Sequence, residues 1–412
     1  MIKVITTLAV MVLLLSSCHS ETGVFPLKNH ESTKYDFSGL DQFIEDKQVI
    51  FIGESTHGAE EFTEIKAELV KYLSENHGYS ILAMESGKVE INFLNDRWQF
   101  FDDQFMMKSM IYEAWNTPAM KELIQYIREN EGLTIEGLDP WPVVSGRWIG
   151  ESELHQYIKE RILNEDSNLA REFIDVDNKF ITFMNEIVFD NYNMIDFDRA
   201  NLILKEYKDF LYKGEELQFA EMEFVKGRIN VLEQYFNEEF LSISEFDNPH
   251  QAYFSRRDLS MFNELENIIN ENPEEKVIVW AHNGHIQKNF ELIDQTNEYL
   301  AEDFDPPPLV LGSLAADKLG DDAYFIGMYF NQGSIKLLDD NIYDIEPKSK
   351  DSELEYILSQ YGHEKIFIDF ESHNEEWSNT SVKAYSEGFF EYYLTPSEQY
   401  DALIFIDSVN PR

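Results

Sequence analysis

Four short segments of the sequence carry the residues best suited to chemistry, and each segment comes directly after an apolar run. The residues are Glu54 with His57, then Glu85, Asp139, and His282 with His285. A histidine held by a neighbouring carboxylate can take a proton from water, which is the step that starts many hydrolytic reactions. Glu54 and His57 share the loop Gly53-Glu-Ser-Thr-His-Gly58, so we predict that this pair is the centre of a hydrolytic site.

Other interpretations of the same residues remain open. Acidic residues often follow strands as helix caps, and Asp139 stands between Gly137 and two prolines that favour a turn. Ser55 is an alternative nucleophile, but the Gly-x-Ser-x-Gly pattern of a serine hydrolase is absent there. Neither a phosphate-binding P-loop nor a dinucleotide-binding glycine pattern occurs. Activation of water by His57 is therefore the favoured chemistry.

The elements that must position these residues have the pattern of a mostly parallel sheet. Apolar runs bounded by turn residues predict buried strands, and they lie at residues 48–53, 80–84, 133–138, 277–280, 323–328, 365–368 and 402–406. Phe62, Ile65, Leu69 and Leu73 recur at helical spacing after the first run. Alternating strands and helices predict an α/β fold with helices flanking the sheet. Ligands of such sheets bind at the carboxyl ends of the strands, where all four segments should meet.

A long acidic stretch interrupts this pattern between about residues 147 and 270. It is nearly free of glycine, and its apolar residues recur every three or four positions, which predicts helices. We expect a helical insertion within one domain, residues 35–412, that caps the carboxyl ends of the strands. The aromatic residues expected to form an apolar wall of the cleft are Trp98, Trp141, Trp148 and Tyr253.

The first residues have the features of a bacterial lipoprotein signal. Lys3 precedes an apolar run that is short for a membrane span and ends in Ser-Ser-Cys18, which holds the chain's only cysteine. We expect residues 1–17 to be removed, Cys18 to carry lipid, and residues 18–34 to form a tether with little order. The protein should then be exported and held at the cell envelope, with the outer membrane favoured where a cell has two membranes. An ordinary secretory signal, with no role for Cys18, is the alternative.

The acidic composition excludes one class of partner. The formal net charge of -45 argues against nucleic acid, because phosphate binding needs a basic surface. It also argues against close contact of the whole domain with anionic lipid, so contact with a membrane is expected through the N-terminal lipid only. The expected partner is a small-molecule substrate.

Four motifs in their order along the chain resemble those of the erythromycin esterase family. They are Gly53-Glu-Ser-Thr-His-Gly58, Leu82-Ala-Met-Glu85, Trp280-Ala-His-Asn-Gly-His285 and Gly320-Asp-Asp-Ala-Tyr-Phe-Ile-Gly327. Weaker matches lie at Trp115-Asn116, Arg257-Asp258, Leu311-Gly-Ser-Leu314 and Tyr400-Asp-Ala-Leu-Ile-Phe405. The resemblance thus extends from about residue 45 to the C-terminus.

The resemblance implies hydrolysis of a carboxylic ester or lactone, macrolide-type lactones included, by activated water without a covalent intermediate. His57 would be the general base, Glu54 would position it, and Glu85, His282 and His285 would complete the catalytic set. Lys66 stands where the family usually has arginine and lacks the planar fork of that residue. The residues expected to bind substrate are Lys66, Asp139, Trp141 and Arg257. The lipoprotein signal and the insertion are not what a drug-inactivating esterase requires, so the substrate stays open.

Two alternatives to this metal-free hydrolase remain. No cofactor is expected, but His57, Glu85, His282 and His285 could together bind Zn²⁺ or Mn²⁺ in a metal-dependent hydrolase. The family's fold is also similar to that of bacterial haem-binding lipoproteins, in which case the same histidines would serve as iron ligands without catalysis.

Overall fold

The structure is a computed structural model. It describes residues 23–28, 34–95, 97–143, 152–189, 197–236, 249–294, 307–337, 339–373 and 375–412. The predicted signal peptide, the predicted lipidation site Cys18 and the predicted wall residue Trp148 lie outside these residues. In the part that is described, no helix is both long enough and apolar enough to span a membrane.

Nine strands of the described chain form one sheet, and two more form a separate hairpin. The strands are β1 (Val24–Pro26), β2 (Val49–Ile52), β3 (Tyr79–Gly87), β4 (Thr134–Asp139), β5 (Lys276–Trp280), β6 (Ala323–Lys336), β7 (Ile342–Ile345), β8 (Lys365–Asp369), β9 (Val382–Ser386), β10 (Phe390–Leu394) and β11 (Ala402–Val409). Their order across the sheet is β1-β8-β11-β6-β2-β5-β3-β4, with β7 paired to β6. Each of the seven apolar runs in the sequence lies in a strand of this sheet.

The centre of the sheet is parallel. Strands β4, β3, β5, β2, β6 and β11 run parallel to their neighbours, whereas β8, β1 and β7 are added antiparallel. Val49 and Phe51 of β2 face one apolar core, and Ile50 and Ile52 face the other. Burial on both faces explains why the run is apolar throughout. The predicted mostly parallel α/β fold is confirmed.

Helices cover the two faces. They are α1 (Asp41–Ile44), α2 (Glu60–His77), α3 (Lys88–Asn95), α4 (Asp103–Met110), α5 (Pro118–Glu129), α6 (Glu153–Glu165), α7 (Ser167–Phe189), α8 (Phe197–Glu216), α9 (Met222–Tyr235), α10 (Pro249–Glu271), α11 (Asn283–Ile286), α12 (Leu311–Leu319), α13 (Leu354–Ser359) and α14 (Pro396–Gln399). The predicted amphipathic helix is α2, which has acidic residues in its first turn and ends at Gly78 with a φ of 72°. Acidic residues suit the positive end of the helix dipole, and glycine allows the left-handed terminus.

The predicted helical insertion corresponds to helices α6 to α10. Helices α6, α7, α8 and α9 pack in sequence against one another. Helix α10 then returns the chain to β5 and packs against β4. Its residue Arg257 reaches the end of β4 by an ion pair to Asp139, so the insertion contributes to the carboxyl edge of the sheet.

The expectation of little order over residues 18–34 is wrong for Val24–Pro26. These residues form β1, which pairs antiparallel with β8 at the edge of the sheet. Phe25 packs against Phe43 and Phe367, and this burial offsets the cost of ordering the segment. Three residues are too few for a clear period-two signal, which is why the sequence pattern did not predict the strand.

Candidate active site

The loop after β2 is shaped by close packing with the loop after β5. A Cβ atom at Gly53 would lie 2.1 Å from Oδ1 of Asn283, so only glycine fits there. The backbone N–H of Asn283 donates to the Glu54 carbonyl at 2.8 Å, and its side chain bonds both ways with the backbone of Met328. The two loops therefore form one rigid unit at the carboxyl edge of the sheet.

The Glu54 carboxylate is fully buried and has three donors. His57 Nδ1 lies 2.7 Å from Oε1, and the indole N–H of Trp115 donates to the same oxygen. Lys66 Nζ donates to Oε2 at 3.1 Å. Burial alone would raise the pKa of Glu54, but the charges of Lys66 and His57 and these hydrogen bonds lower it. Glu54 is therefore an ionised anchor for the imidazole.

His57 has one nitrogen committed and one available. Its Nδ1 faces Glu54, and about a fifth of its side chain is exposed. Burial opposes protonation, yet the hydrogen bond and charge of Glu54 raise the pKa of His57 above its usual value. The rings of His57 and Trp115 pack in a T-shaped arrangement with a centroid distance of 5.1 Å. The geometry leaves Nε2 to take a proton from a bound water.

Glu85 and Asp139, at the ends of β3 and β4, are joined by a buried arginine. Arg257 Nη2 donates to Glu85 Oε1 at 2.6 Å, and its Nε donates to Asp139 Oδ2 at 3.0 Å. The second oxygen of Glu85 accepts the backbone N–H of His282 at 2.9 Å. Burial raises the pKa of Glu85, but the charges of His285 and Arg257 hold it well below its usual range. This cluster fixes the loop that carries the histidine pair.

His285 lies between two carboxylates. Its Nδ1 is 2.7 Å from Asp258 Oδ1, and its Nε2 is 3.1 Å from Glu85 Oε1. Burial lowers the pKa of His285, but the charges of Asp258 and Glu85 outweigh it and raise the pKa to about 10. Arg257 opposes this increase, because its Nη1 lies 2.8 Å from the same Nε2. Both ring nitrogens of His285 are therefore held by protein groups, and neither is available to act as a base.

His282 differs from the other two histidines. The backbone N–H of Gly284 donates to its Nδ1 at 3.1 Å, which places the ring proton on Nε2. That Nε2 is buried and has no hydrogen-bond partner in the described part of the chain. Burial, together with the charge on His57, lowers the pKa of His282 to about 3. A neutral imidazole with an unpaired N–H, 4.9 Å from the His57 ring, can donate to a substrate oxygen.

A cleft with a volume of about 220 Å³ opens beside His282 and His285, and His57 is not among the residues that line it. Its walls are largely apolar, and its floor includes His282, His285 and Asp258. The apolar and aromatic lining residues are Phe254, Phe290, Ile293, Pro308, Val310, Phe390 and Tyr392. Trp98, Trp141 and Tyr253 are not among the residues that line this cleft, and Trp148, the fourth residue of the predicted wall, lies outside the described residues. Trp141 instead bonds Tyr253 within the core, at 2.8 Å.

The four residues expected to bind substrate lie behind the cleft rather than along it. Lys66 is fully buried, donates to the Ala281 carbonyl at 3.0 Å and lies 4.4 Å from the centre of the Trp280 ring. Burial lowers its pKa to about 8. Asp139, Trp141 and Arg257 are likewise buried and bonded to protein groups. These side chains can act on a substrate only through the residues they hold.

The alternative metal site required His57, Glu85, His282 and His285 to converge as ligands. In the described ranges, no group of three or more His, Cys, Asp or Glu residues has the geometry to hold a metal ion. Both ring nitrogens of His285 face carboxylates, and Nδ1 of His282 accepts a backbone N–H. The four residues lie at one edge of the sheet, but most of their polar atoms are bonded to other protein groups and do not converge on one point.

Three site residues were not assigned from the sequence. Trp115, which bonds Glu54, and Asp258, which bonds His285, were noted only as weak motif matches. Glu387, which contacts the Glu54–His57 loop from the β9–β10 hairpin, was missed altogether. Gly388 is the local turn signal in this segment, but it is weak, because the glutamate before it is not a preferred residue of a tight hairpin turn.

Several known proteins are similar to this chain in sequence. A family model described as erythromycin esterase matches residues 74–409, a range that begins after the Glu54–His57 loop. A putative hydrolase, YbfO, from Bacillus subtilis (strain 168) is 26% identical over 94% of this chain and 89% of its own length. The erythromycin esterase type II from Escherichia coli is 25% identical, over 65% of this chain and 67% of its own.

A solved structure supports the fold. An erythromycin esterase mutant in its open conformation has a TM-score of 0.57 and 16% identity, covering 94% of this chain and 98% of its own. At this identity the likeness shows the fold and not the reaction.

Proposed function

Since the chain belongs to the erythromycin esterase family, we propose that it hydrolyses a carboxylic ester or lactone with water activated by His57. The family and the putative hydrolase from Bacillus subtilis together support a hydrolase at the family level. The observation that carries this proposal is the hydrogen bond of 2.7 Å between His57 Nδ1 and the buried Glu54 carboxylate. It holds the imidazole and leaves Nε2 to accept a proton.

The proposed reaction needs no covalent enzyme intermediate. His57 Nε2 takes one proton from water while the water oxygen bonds to the acyl carbon. The resulting tetrahedral oxyanion collapses with cleavage of the carbon–oxygen bond to the alcohol, and the departing alkoxide takes the proton back from His57. The products are a carboxylic acid and an alcohol, joined in one molecule when the substrate is a lactone.

His282 is the proposed donor to the oxyanion. Its Nε2–H is unpaired in the described part of the chain, and the low pKa of the ring keeps it neutral. A neutral donor stabilises the developing negative charge by a hydrogen bond. It does not present an acidic proton that could protonate the water activated by His57. The N–H of Gly284 sets the tautomer on which this role depends.

The cleft points to an uncharged, apolar group on the substrate. Among the described residues that line it, no lysine or arginine is present, and His285 is already paired with Asp258. The aromatic walls at Phe254, Phe290 and Phe390 suit a hydrophobic acyl or alkoxy group.

Replacing His57 tests the proposal directly. The His57→Ala variant should lose about 10²- to 10⁴-fold in kcat for a hydrolysed ester, the usual contribution of a general base. Its far-ultraviolet circular dichroism and thermal midpoint should stay close to those of the unmodified protein. The exposed His363 provides the matched control, and His363→Ala should keep full activity. Undiminished turnover by His57→Ala would refute the role of His57.

A further inference from the structure

The turn between β9 and β10 has an unusual residue at a strained position. The N–H of Phe389 donates to the Ser386 carbonyl at 3.2 Å, and the two residues between them, Glu387 and Gly388, have φ values of 51° and 73°. Two positive φ values are the mark of a type I′ turn, in which asparagine, aspartate or glycine is preferred at the first position. A glutamate there costs conformational energy, so a compensating role is expected.

Glu387 contacts the loop between Glu54 and His57 at two points. Its backbone N–H donates to the Ser55 carbonyl at 2.8 Å. Its carboxylate accepts the hydroxyl of Thr56, and the same hydroxyl oxygen accepts the N–H of Gly58 at 2.9 Å. The tip of the hairpin is thus bonded to both residues that separate the proposed anchor and the proposed base.

The hairpin that presents Glu387 is itself firmly held. The hydroxyl of Tyr385 donates to Glu353 at 2.7 Å, and its backbone N–H donates to Glu355 at 2.9 Å. Lys348 Nζ donates to the Gly388 carbonyl at 2.7 Å. These bonds on both sides of Glu387 fix the tip, so a displacement of the loop would break bonds rather than move the hairpin.

The charged groups around His57 come from several elements. Glu54, Glu85 and Glu387 face it and favour its protonated form, while His282 lies against its ring. Glu387 in turn faces Glu54 and Arg412 in addition to His57. Burial raises the pKa of Glu387, and the charge of His57 and the Thr56 hydroxyl oppose that increase.

We propose that Glu387 is a positioning residue for the reaction: it holds the loop that carries Glu54 and His57 and places a third carboxylate beside the imidazole. This inference rests on the proposed function, since it assigns Glu387 to the same reaction. It explains why the strained turn carries a glutamate, because an asparagine side chain is one carbon shorter and the alternative glycine has none.

The Glu387→Asn variant separates positioning from folding. Asparagine is preferred at this turn position, so the free energy of unfolding should be unchanged or higher. The shorter amide should lose the Thr56 hydroxyl, and kcat for p-nitrophenyl butyrate should fall about tenfold to a hundredfold with little change in KM. Glu391→Gln, a change at a half-exposed position of the same hairpin, is the control and should leave both constants unchanged.

The Glu387→Gln variant isolates the charge. Its amide oxygen can still accept the Thr56 hydroxyl, so most of kcat should be restored relative to Glu387→Asn. Removing the negative charge lowers the pKa of His57, so the acid limb of kcat/KM should move to lower pH. Wild-type kcat in Glu387→Asn, or a loss of kcat that follows an equal loss of folded protein, would overturn the inference. Absence of ester hydrolysis in the unmodified protein would instead refute the proposed function.

Discussion

At the scale of single residues, the site gives its three histidines different pKa values by varying what surrounds each ring. Two carboxylates beside His285 raise its pKa to about 10, whereas burial without a carboxylate hydrogen bond lowers that of His282 to about 3. His57 lies between these cases, with one carboxylate partner and partial exposure. Groups whose pKa values are pushed apart in this way can divide the tasks of base, donor and positioning group.

The pH dependence of activity should report the state of His57. Glu54 and the other carboxylates raise the pKa of His57 above that of an isolated histidine, which is about 6.5. The neutral form that acts as the base therefore becomes the main form only at a pH above that value. We expect kcat/KM for an uncharged ester to rise with pH, with a midpoint above about 6.5 and a slope of one proton. A pH series of initial rates in buffers of constant ionic strength measures this midpoint. A midpoint well below that value would contradict the assignment of the base.

Much of the site at this scale followed from residue types at strand ends. Glu54, His57, Glu85, His282 and His285 were predicted to meet, and they do, because parallel strands bring their carboxyl ends to one edge. The tautomers and charges could not be predicted, since each depends on neighbours from other elements. For example, the backbone N–H of Gly284 sets the proton on His282 only in the folded loop.

At the scale of elements, helix α10 connects the helical insertion to the sheet through one side chain. Arg257 is buried between Glu85 of β3 and Asp139 of β4, and the next residue, Asp258, holds His285. An arginine suits this place, because its planar fork can donate to two carboxylates at once. The insertion is therefore part of the site's framework as well as a neighbour of the cleft.

Removing this link should destabilise the protein strongly. In Arg257→Met the two carboxylates stay buried without their cation, so the free energy of unfolding should fall by about 3–5 kcal/mol. Urea titration followed by circular dichroism measures the change. The matched control is Arg161→Met, which breaks an ion pair to Glu221 in which the arginine is 52% exposed and should cost less than about 1 kcal/mol. Equal midpoints for the two variants would contradict the structural role of Arg257.

The positions of strands and helices were easier to predict from the sequence when the element was long and buried. Strands β2, β4 and β5 have clear apolar patterns and were predicted close to their observed bounds, whereas β6 was predicted only to residue 328 and extends to Lys336. Strand β1 and the β9–β10 hairpin were not, because a short edge strand and a half-exposed hairpin carry weak patterns. Their positions depend on partners far along the chain, such as β8 for β1.

At the scale of the whole molecule, Cys18 is the proposed site of a lipid anchor. This residue lies outside the described part of the chain, and the proposal can be tested in cells. Changing Cys18→Ser removes the only thiol that could be lipidated, so the protein should move from the detergent phase to the aqueous phase in a Triton X-114 partition. Ser17→Ala keeps a small residue before the cysteine and should leave the partition unchanged. If the unmodified protein is already in the aqueous phase, Cys18 carries no lipid.

The sequence by itself determined the class of fold, the edge of the sheet where chemistry is placed, and the family, because buried strands and strand-end residues leave local patterns. Only the tertiary structure decided which residues line the cleft and which lie behind it. Lys66, Asp139, Trp141 and Arg257 have the types expected of substrate contacts, yet all four are buried against protein groups. Phe290, Phe390 and Glu387 come from segments remote in sequence, and no local pattern reports a contact that forms only when distant elements pack.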